Sequence, residues 1–253
     1  RPFFTYISTN APHSPFFCPQ EYTEPYKGNL DVSRPEFYGM VANIDENISK
    51  LMSRLDTLGV ADNTIVIFMT DNGTAGGIYA GRGFDGGMRG TKNSEYEGGH
   101  RVPLLIRWVD GKIEAGKSVE KLTAHMDLLP TLIDLIGLKA PNIAFDGKSI
   151  RNLLYTEGSQ WPERTLVVES QRVASPIKWR KSAVMTNRWR LINGEELFDI
   201  NADPKQKNDV SDIYPEKFDF LYDEYNKFWE DVSSEHNLTS HITIGSENSP
   251  IVS

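Results

Sequence analysis

The sequence predicts an α/β fold, and three observations support this prediction. Residues 36–58 place apolar side chains three or four positions apart, which is typical of one face of a helix. Residues 64–70 and 102–108 are largely apolar runs of strand length. After residue 155, short strand-like runs are separated by turn residues. The first part of the chain thus alternates strands and helices, which is the order of an α/β protein.

The first predicted elements are a short strand and a long helix. Residues 3–8 are rich in aromatic residues and predict a strand that leads into a proline-rich loop at 12–25. The amphipathic helix at 36–58 follows, and it is closed by Gly59, a residue type that commonly ends helices.

The next elements alternate strand and helix again. The strand at 64–70 opens into a glycine-rich loop at 72–99, and a second buried strand is predicted at 102–108. A short helix is predicted at 127–136, where Pro130 falls in the first turn and is tolerated.

The C-terminal part of the chain has a different character. Turn residues such as Asn193-Gly194 separate short runs of strand-forming residues, and this pattern predicts a small antiparallel sheet. The predicted strands are residues 165–169, 182–186, 188–192 and 196–200. An aromatic-rich helix from residue 215 to about residue 234 closes this region.

A domain boundary is predicted between Tyr155 and Arg164, where the pattern changes. Residues 1–160 then form an α/β domain, and residues 161–253 form a smaller α+β subdomain. With 253 residues, 39% of them apolar, the chain can bury a sizeable core in one or two domains.

Composition and charge exclude several classes of function. The chain has 253 residues, a net charge of −8 and a pI near 5.2, without a block of basic residues. This balance argues against a general affinity for nucleic acid or for an anionic membrane surface. The longest apolar runs are too short to span a bilayer. Cys18 is the only cysteine, so an internal disulfide is excluded.

An acid and an amide follow the strand at 64–70 directly. In α/β sheets ligands bind beyond the carboxyl ends of the strands, and Asp71 and Asn72 stand at such an end. A carboxylate oxygen beside an amide oxygen suits a hard cation such as Ca²⁺ or Mg²⁺ better than Zn²⁺. The alternative is that Asp-Asn-Gly is simply a turn.

A second cluster of candidate residues lies at 86–103. Five glycines surround Arg89 and Lys92, so the backbone and two cationic side chains can close on a small anion such as sulfate or phosphate. The alternative is a solvated loop whose cations face water. A third candidate is His13, which two prolines hold in a loop after the predicted strand 3–8 and which is suited to proton transfer. The alternative for His13 is a structural or surface histidine.

Taken in order, these segments resemble the sulfatase family of the alkaline-phosphatase superfamily. The matching segments are PHSP at 12–15, NIDENISKLMSRLDTLGVADNTIVIFMTDNG at 43–73, RGTKNSEYEGGHRVPLLIRW at 89–108, HMDLLPTLIDLIG at 125–137 and ELFDINADPKQKND at 196–209. The resemblance implies part of an alkaline-phosphatase-like central sheet flanked by helices. A small antiparallel sheet with a packed helix follows it.

The resemblance also implies roles for the candidate residues. Asp71 and Asn72 would be two ligands of a single divalent ion, Ca²⁺ or Mg²⁺. Lys92 would contact the sulfate group, and His13 would lie near the leaving-group oxygen as a general acid. His125 is interpreted as structural, and the same interpretation is preferred for His100, with a place in the lining of the pocket as its alternative. Glu95, Glu97 and Arg101 are expected to brace the glycine-rich loop through ion pairs.

One departure from the family pattern sets limits on the expected activity. Sulfatases carry a Cys-or-Ser, x, Pro, x, Arg motif whose first residue becomes formylglycine, and the 253 residues contain no such motif. Cys18 does not match it, because proline follows at once and the arginine is missing. The sequence therefore resembles the C-terminal portion of a sulfatase. Alone, we expect it to be inactive, to bind metal weakly and to expose a sheet edge through which it could dimerise.

Two other functions fit the same residues. A phosphodiester or phosphonate hydrolase of the superfamily has a similar architecture but typically has histidine where this chain has Asn72. A non-catalytic module that binds an anion is the other alternative. A sulfated small molecule or glycan is the expected partner, and the resemblance favours a periplasmic, lysosomal or secreted location. Trp161, Trp179 and Trp189 could stack on a sugar ring or pack in the core.

Overall fold

The structure is a computed structural model that describes residues 1–140, 142–155, 160–173 and 175–234. The helices are α1 (Gln20–Thr23), α2 (Pro35–Thr57), α3 (Glu97–His100), α4 (Leu128–Leu135), α5 (Arg151–Tyr155) and α6 (Pro215–Ser233). The strands are β1 (Val66–Met69), β2 (Leu104–Arg107), β3 (Leu166–Glu169), β4 (Ser182–Met185), β5 (Trp189–Ile192) and β6 (Glu196–Asp199). No helix in these ranges is long and apolar enough to cross a membrane.

Helix α2 follows the predicted pattern closely. Pro35 occupies its first turn, where the missing N–H costs nothing. The backbone N–H of Gly59 donates to Asp56 O at 2.9 Å, and its φ of +66° ends the helix. A Cβ built on Gly39 would lie 3.0 Å from Tyr22 O in α1, so this glycine lets α1 pack closely against α2.

Among the residues that the structure describes, the first sheet has two strands. β1 and β2 pair antiparallel, with Val66 opposite Arg107 and Met69 opposite Leu104. The sequence predicted buried strands here, but the residues of β1 are half-buried, and Leu105 on β2 is 63% exposed. Few described elements cover this sheet, so its apolar residues keep much of their contact with solvent.

The strand predicted at 3–8 does not form, and this prediction was wrong. Phe3, Phe4, Tyr6 and Ile7 are all exposed, and residues 3–8 have no strand assignment. A strand is stabilised by hydrogen bonds to a neighbouring strand. Within the described residues no strand pairs with this segment. Its aromatic residues therefore lie at the surface rather than in a sheet.

The second sheet confirms the prediction of a small antiparallel sheet with a packed helix. It contains four strands in the order β3-β4-β5-β6, all antiparallel neighbours. Asn193 and Gly194 form the turn between β5 and β6, and both have positive φ values. On one face Val184, Leu191 and Leu197 pack against α6. The other face packs against residues of the predicted domain 1–160, including Tyr96 and Leu122. We call this part of the chain the first region and the part after it the C-terminal region.

Buried ion pairs join the two predicted domains. Arg164 donates to both carboxylate oxygens of Asp127, at 2.8 and 2.6 Å, and both side chains are buried. Arg190 on β5 donates from Nε to one oxygen of Glu97, Oε1, at 2.5 Å, and both of these side chains are buried as well. The predicted boundary falls partly on residues 156–159, which lie outside the described residues, and residues 235–253 of the predicted subdomain do so as well. The division into two domains stays a prediction.

Candidate active site

The carboxyl end of β1 holds the two candidate metal ligands. Asp71 is exposed, and its Oδ1 accepts a hydrogen bond from the backbone N–H of Asn72 at 2.9 Å. The side-chain Nδ2 of Asn72 donates to Gly73 O at 2.9 Å. The amide nitrogen of Asn72 is thereby occupied, which leaves its Oδ1 as the atom able to face a cation.

Few other metal-binding side chains lie near Asp71 and Asn72 in the part of the chain that the structure describes. In the part of the chain that the structure describes, no group of three or more His, Cys, Asp or Glu side chains could hold a metal. Asp71 and Asn72 therefore fit a hard cation by oxygen type, but they supply two of the six to eight oxygens that Ca²⁺ takes. The other ligands would have to come from outside these ranges or from water.

The backbone brings Lys92 to the same strand end. Its N–H donates to Thr74 O at 2.9 Å, two residues beyond Asn72. Gly73 N–H donates to Gly99 O at 2.9 Å, so a second bond ties the strand end to the glycine-rich loop. A Cβ built on Gly73 would lie 1.8 Å from Gly98 O, and only glycine permits this contact. Lys92 thus belongs to a loop that is hydrogen-bonded to the residues following Asp71 and Asn72.

His13 lies in an exposed loop that reaches the same region through Phe16. A Cβ built on Gly76 would lie 2.6 Å from Phe16 Cζ, so the Phe16 ring packs on the loop that follows Asn72. The Nδ1 atom of His13 is 2.8 Å from Ser14 O. A carbonyl oxygen can only accept, so Nδ1 carries the hydrogen and Nε2 is left for proton transfer.

His125 contacts the strand end directly. Its Nε2 lies 2.8 Å from Thr70 O, the residue before Asp71, and must donate to that carbonyl. This contact gives His125 a structural use at the site, in line with its interpretation from the sequence. Only the position of His125 in the fold reveals this contact, because 55 residues separate the two partners.

Arg89 has partners other than a ligand. Its Nη1 donates to Gln206 O at 2.8 Å, and its guanidinium carbon lies 3.6 Å from the centre of the Tyr96 ring. A guanidinium over an aromatic face is a favourable cation–π contact. Arg89 as a sulfate ligand stays a prediction, and these contacts point to a role in holding the loop.

The acids near the loop behave differently from one another. Glu97 is buried and pairs with Arg190 at 2.5 Å, and Arg101 lies 3.5 Å from its other oxygen. Burial alone would raise the pKa of Glu97, but the charge and hydrogen bond of Arg190 outweigh it, so the pKa lies below its ordinary value. The expected bracing by Glu97 and Arg101 is therefore present.

His100, at the end of α3, is affected by burial in the opposite direction. Burial disfavours the charged form of its imidazole, so the pKa of His100 lies below its ordinary value.

Glu95 corrects one expectation. Its carboxylate accepts a hydrogen bond from Asn193 Nδ2 at 3.0 Å, and no ion pair to Glu95 occurs within the described residues. The sequence alone could not show whether Glu95 forms an ion pair or a hydrogen bond, because its partner Asn193 is 98 residues away on the β5–β6 turn.

Comparison with protein families identifies the class of protein. The profile of the sulfatase family matches residues 1–138. A second profile, described as N-sulphoglucosamine sulphohydrolase, C-terminal, matches residues 91–227. The chain belongs to the sulfatase family, and its fold is the alkaline-phosphatase-like α/β fold of that family.

Individual sulfatases are similar over most of this chain. Human arylsulfatase A is 35% identical over 166 residues, which cover 66% of this chain and 31% of the human protein. Arylsulfatase A of Bos taurus is 35% identical over 208 residues, covering 81% of this chain and 39% of the bovine protein. The N-acetylgalactosamine-6-O-sulfatase of Bacteroides thetaiotaomicron is 27% identical, and the match covers 85% of this chain and 45% of the bacterial protein. The chain spans less than half the length of these relatives.

Solved structures support the same fold. The crystal structure of Ps i-CgsB superposes with a TM-score of 0.73 at 30% identity, covering 90% of this chain and 50% of that one. The phosphonate monoester hydrolase of Agrobacterium radiobacter has a TM-score of 0.53 at 21% identity, covering 86% and 44%, and it shows the fold alone.

Proposed function

We propose that these residues belong to an enzyme that hydrolyses sulfate esters. One observation carries the proposal: in a chain of the sulfatase family, the backbone bonds Lys92 N–H to Thr74 O, beside the strand end that holds Asp71 and Asn72. A cation and an anion-binding lysine on adjoining loops are what a sulfate group requires.

Each residue has a distinct role in this proposal. Asp71 and Asn72 hold a divalent ion, and Ca²⁺ or Mg²⁺ when bound would offset charge on the sulfate oxygens. Lys92 places its ammonium against those oxygens and stabilises the charge that develops on them. The Nδ1–H of His13 donates to Ser14 O, and when the ring is the doubly protonated imidazolium its Nε2–H gives its proton to the departing alcohol oxygen, which leaves a neutral imidazole.

The attacking group comes from outside the 253 residues. We propose that a formylglycine, formed in a Cys-or-Ser, x, Pro, x, Arg motif elsewhere in a longer protein, supplies it. The 253 residues alone should therefore show no turnover, and they should bind Ca²⁺ weakly because two oxygens are too few. Calorimetry that gives micromolar or tighter Ca²⁺ binding to the 253 residues would contradict this expectation.

The test is turnover of 4-nitrophenyl sulfate by the full-length protein. We expect Lys92→Ala to lower kcat/KM by roughly 100-fold or more, since it removes a preorganised group that stabilises developing charge. Lys139→Ala is the matched control, because Lys139 is exposed and remote in sequence from the loop. We expect this control to retain the wild-type rate. A wild-type full-length protein that does not hydrolyse sulfate esters would end the proposal.

A second candidate is a phosphodiester or phosphonate hydrolase, which the fold of the Agrobacterium enzyme keeps open. Asn72 favours the sulfatase, because a neutral amide stands where those hydrolases typically have histidine. The full-length protein should prefer 4-nitrophenyl sulfate over bis(4-nitrophenyl) phosphate and phenyl phosphonates in kcat/KM, and the reverse order would select the second candidate. Sulfate binding with no turnover would select a non-catalytic module.

The substrate class that we propose is a sulfated glycan. Ps i-CgsB has been solved in complex with k-i-k-neocarrahexaose, and this protein is 28% identical to our chain with a TM-score of 0.70. Trp179 and Trp189 are not free to stack on a sugar, because Trp179 stacks on Tyr225 and Trp189 is buried. Trp161 is half-buried and donates from Nε1 to Leu122 O at 3.2 Å. It remains the tryptophan candidate for a sugar contact.

Location and association are also proposals. We place the protein outside the cytoplasm, in the periplasm, a lysosome or the medium, because its named relatives include arylsulfatase A and N-acetylgalactosamine-6-sulfatase.

The two-stranded β1–β2 sheet leaves strand edges that can pair with a strand of another molecule. We therefore also propose that the 253 residues associate through an edge of this sheet. Light scattering that gives a clean monomer would contradict that association.

A further inference from the structure

We infer that Gln206 and Arg190 of the C-terminal region are positioning residues for Lys92. Residues 89–98, which we call the Lys92 loop, begin at Arg89 and close on themselves through the bond from Gly98 N–H to Arg89 O at 2.8 Å. The loop has no strand partner of its own within the described residues. The inference rests on the proposed role of Lys92 in sulfate binding, and it adds which groups fix the place of that lysine.

Gln206 holds both ends of the Lys92 loop. Its backbone carbonyl accepts from Arg89 Nη1 at 2.8 Å, and its side-chain Oε1 accepts from Glu97 N–H at 2.9 Å. The Gln206 side chain has no exposed surface, so neither bond competes with water. A single residue, more than a hundred positions away in sequence, therefore fixes the start and the end of the loop.

The turn that presents Gln206 is itself well built. Gln206 has a φ of +48°, and its N–H donates to Asp203 O at 3.0 Å. The carboxylate of Asp203 accepts from the backbone N–H groups of Lys207 at 2.6 Å and Asn208 at 2.8 Å. A non-glycine residue with a positive φ costs conformational energy, so the turn bonds of Asp203 are needed to hold Gln206 in this conformation.

Arg190 clamps the same end of the loop from β5. Its Nε lies 2.5 Å from Glu97 Oε1, and the two side chains are 5% and 2% exposed. Its Nη1 also donates to Thr186 O, and to Trp189 O at 3.0 Å. These two backbone bonds fix the guanidinium independently of its bond to Glu97. A buried charge pair with this many partners allows little sideways movement of Glu97.

The opposite side of the loop faces the proposed site. Lys92 N–H donates to Thr74 O at 2.9 Å, while Tyr96 Oη donates to Glu196 at 2.6 Å on the side of the second sheet. The Lys92 loop therefore lies between the carboxyl end of β1 and the strands β5 and β6. The bond to Thr74 O ties one side of the loop to the residues that follow Asp71 and Asn72, and the contacts of Gln206 and Arg190 hold its other side. A displacement of about 1 Å at a charge-stabilising group can cost a large factor in rate.

A double-mutant cycle in the full-length protein tests this inference. Gln206→Asn keeps an amide and a residue type that accepts positive φ, but its side chain is too short to reach Glu97 N–H. With 4-nitrophenyl sulfate we expect Gln206→Asn to lower kcat/KM about tenfold in the wild type, in line with coupling energies between residues of one network. In a Lys92→Ala background we expect less than a twofold further loss. Lys207→Ala, an exposed neighbour in the same turn, is the control and should keep wild-type rates.

Two results would overturn the inference. Equal losses from Gln206→Asn in both backgrounds would mean that Gln206 acts independently of Lys92. Unchanged amide hydrogen exchange at residues 91–96 in Gln206→Asn would mean that Gln206 does not hold the loop, whereas we expect faster exchange there. Exchange is also measurable if the wild type does not hydrolyse sulfate esters, so failure of the proposed function is distinguishable from failure of the positioning role. If Gln206→Asn does not fold, Arg190→Lys replaces it in the same double-mutant cycle with Lys92→Ala. We expect Arg190→Lys to lower kcat/KM only partly, because the positive charge beside Glu97 remains.

Discussion

The two sheets of this protein differ in how completely they are packed. Strands β4 and β5 of the second sheet are buried along their whole length, with α6 on one face and the Tyr96 region on the other. Strand β1 of the first sheet is half-buried, and Leu105 on β2 is largely exposed. The candidate catalytic groups nonetheless belong to the first, less packed region. From this difference we infer that the candidate site depends for its rigidity on contacts with the second sheet, which supplies none of the candidate catalytic residues.

Breaking the contact between the two regions should have the largest effect. Arg190→Met removes the buried partner of the Glu97 carboxylate and leaves it only the exposed Arg101 at 3.5 Å, and we expect a loss of about 3–5 kcal/mol in the free energy of unfolding. Urea denaturation measures it. Arg188→Met is the matched control, because Arg188 pairs with Asp199 from an exposed position and its loss should be much smaller. Equal losses would show that the Glu97 pair does not join the regions.

The comparison of the sheets predicts a second difference. Leu197→Ala removes a fully buried side chain of β6 and should cost about 2–5 kcal/mol of unfolding free energy, through lost burial and the cavity it leaves. Leu105→Ala on β2 removes a largely exposed side chain and should stay within about 0.5 kcal/mol. Similar costs for the two substitutions would contradict the difference in packing.

Acid should weaken the link between the regions in a defined direction. The pKa of Asp127 lies below its ordinary value, since the bonds from Arg164, Lys148 and Ala124 outweigh the effect of burial, and the pKa of Glu97 is lowered as well. Carboxylates with lowered folded-state pKa values stabilise the fold above their unfolded pKa values, and this stability is lost as pH falls through the folded values.

The measurement compares Asp127→Asn with the wild type across pH. At pH 7 the variant should be less stable, and the gap should shrink as pH falls below about 4, the ordinary range of these groups. A gap that stays constant from neutral to acid pH would show that the Asp127 charge contributes nothing to stability.

A smaller effect is expected at Tyr96. Burial and the hydrogen bond to Glu196 raise the pKa of Tyr96 to about 12, so the phenol stays protonated and donates at neutral pH. Tyr96→Phe removes this single bond and should cost about 1 kcal/mol of unfolding free energy. Thermal or urea unfolding checks it, and a cost equal to that of Arg190→Met would contradict the ranking.

The sequence predicts the second sheet far better than the first. Each predicted strand there differs from the observed one by a single residue at one end, and helix 215–234 is observed as Pro215–Ser233. Short runs of strand-forming residues and the Asn193-Gly194 turn are local signals, and local pairing between consecutive strands confirms them. Residues 3–8 carry a similar strand signal but do not form a strand, because a strand also needs a partner that local sequence does not supply.

The candidate site was predictable in its residue types but not in its supports. Asp71, Asn72, Lys92 and His13 stand out through their position after strands or among glycines and prolines. Their roles at the site stay predictions. The contacts of Gln206 and Arg190 with the Lys92 loop span roughly a hundred residues, and no local pattern encodes them. Long-range contacts of this kind depend on the fold as a whole.

The most direct test of the site is a crystal structure of the full-length protein grown with Ca²⁺ and sulfate. We predict a cation about 2.3–2.6 Å from oxygens of Asp71 and Asn72, with a sulfate oxygen within hydrogen-bond reach of Lys92 Nζ and His13 Nε2. A cation bound elsewhere, or a Lys92 side chain directed away from the sulfate, would contradict the account.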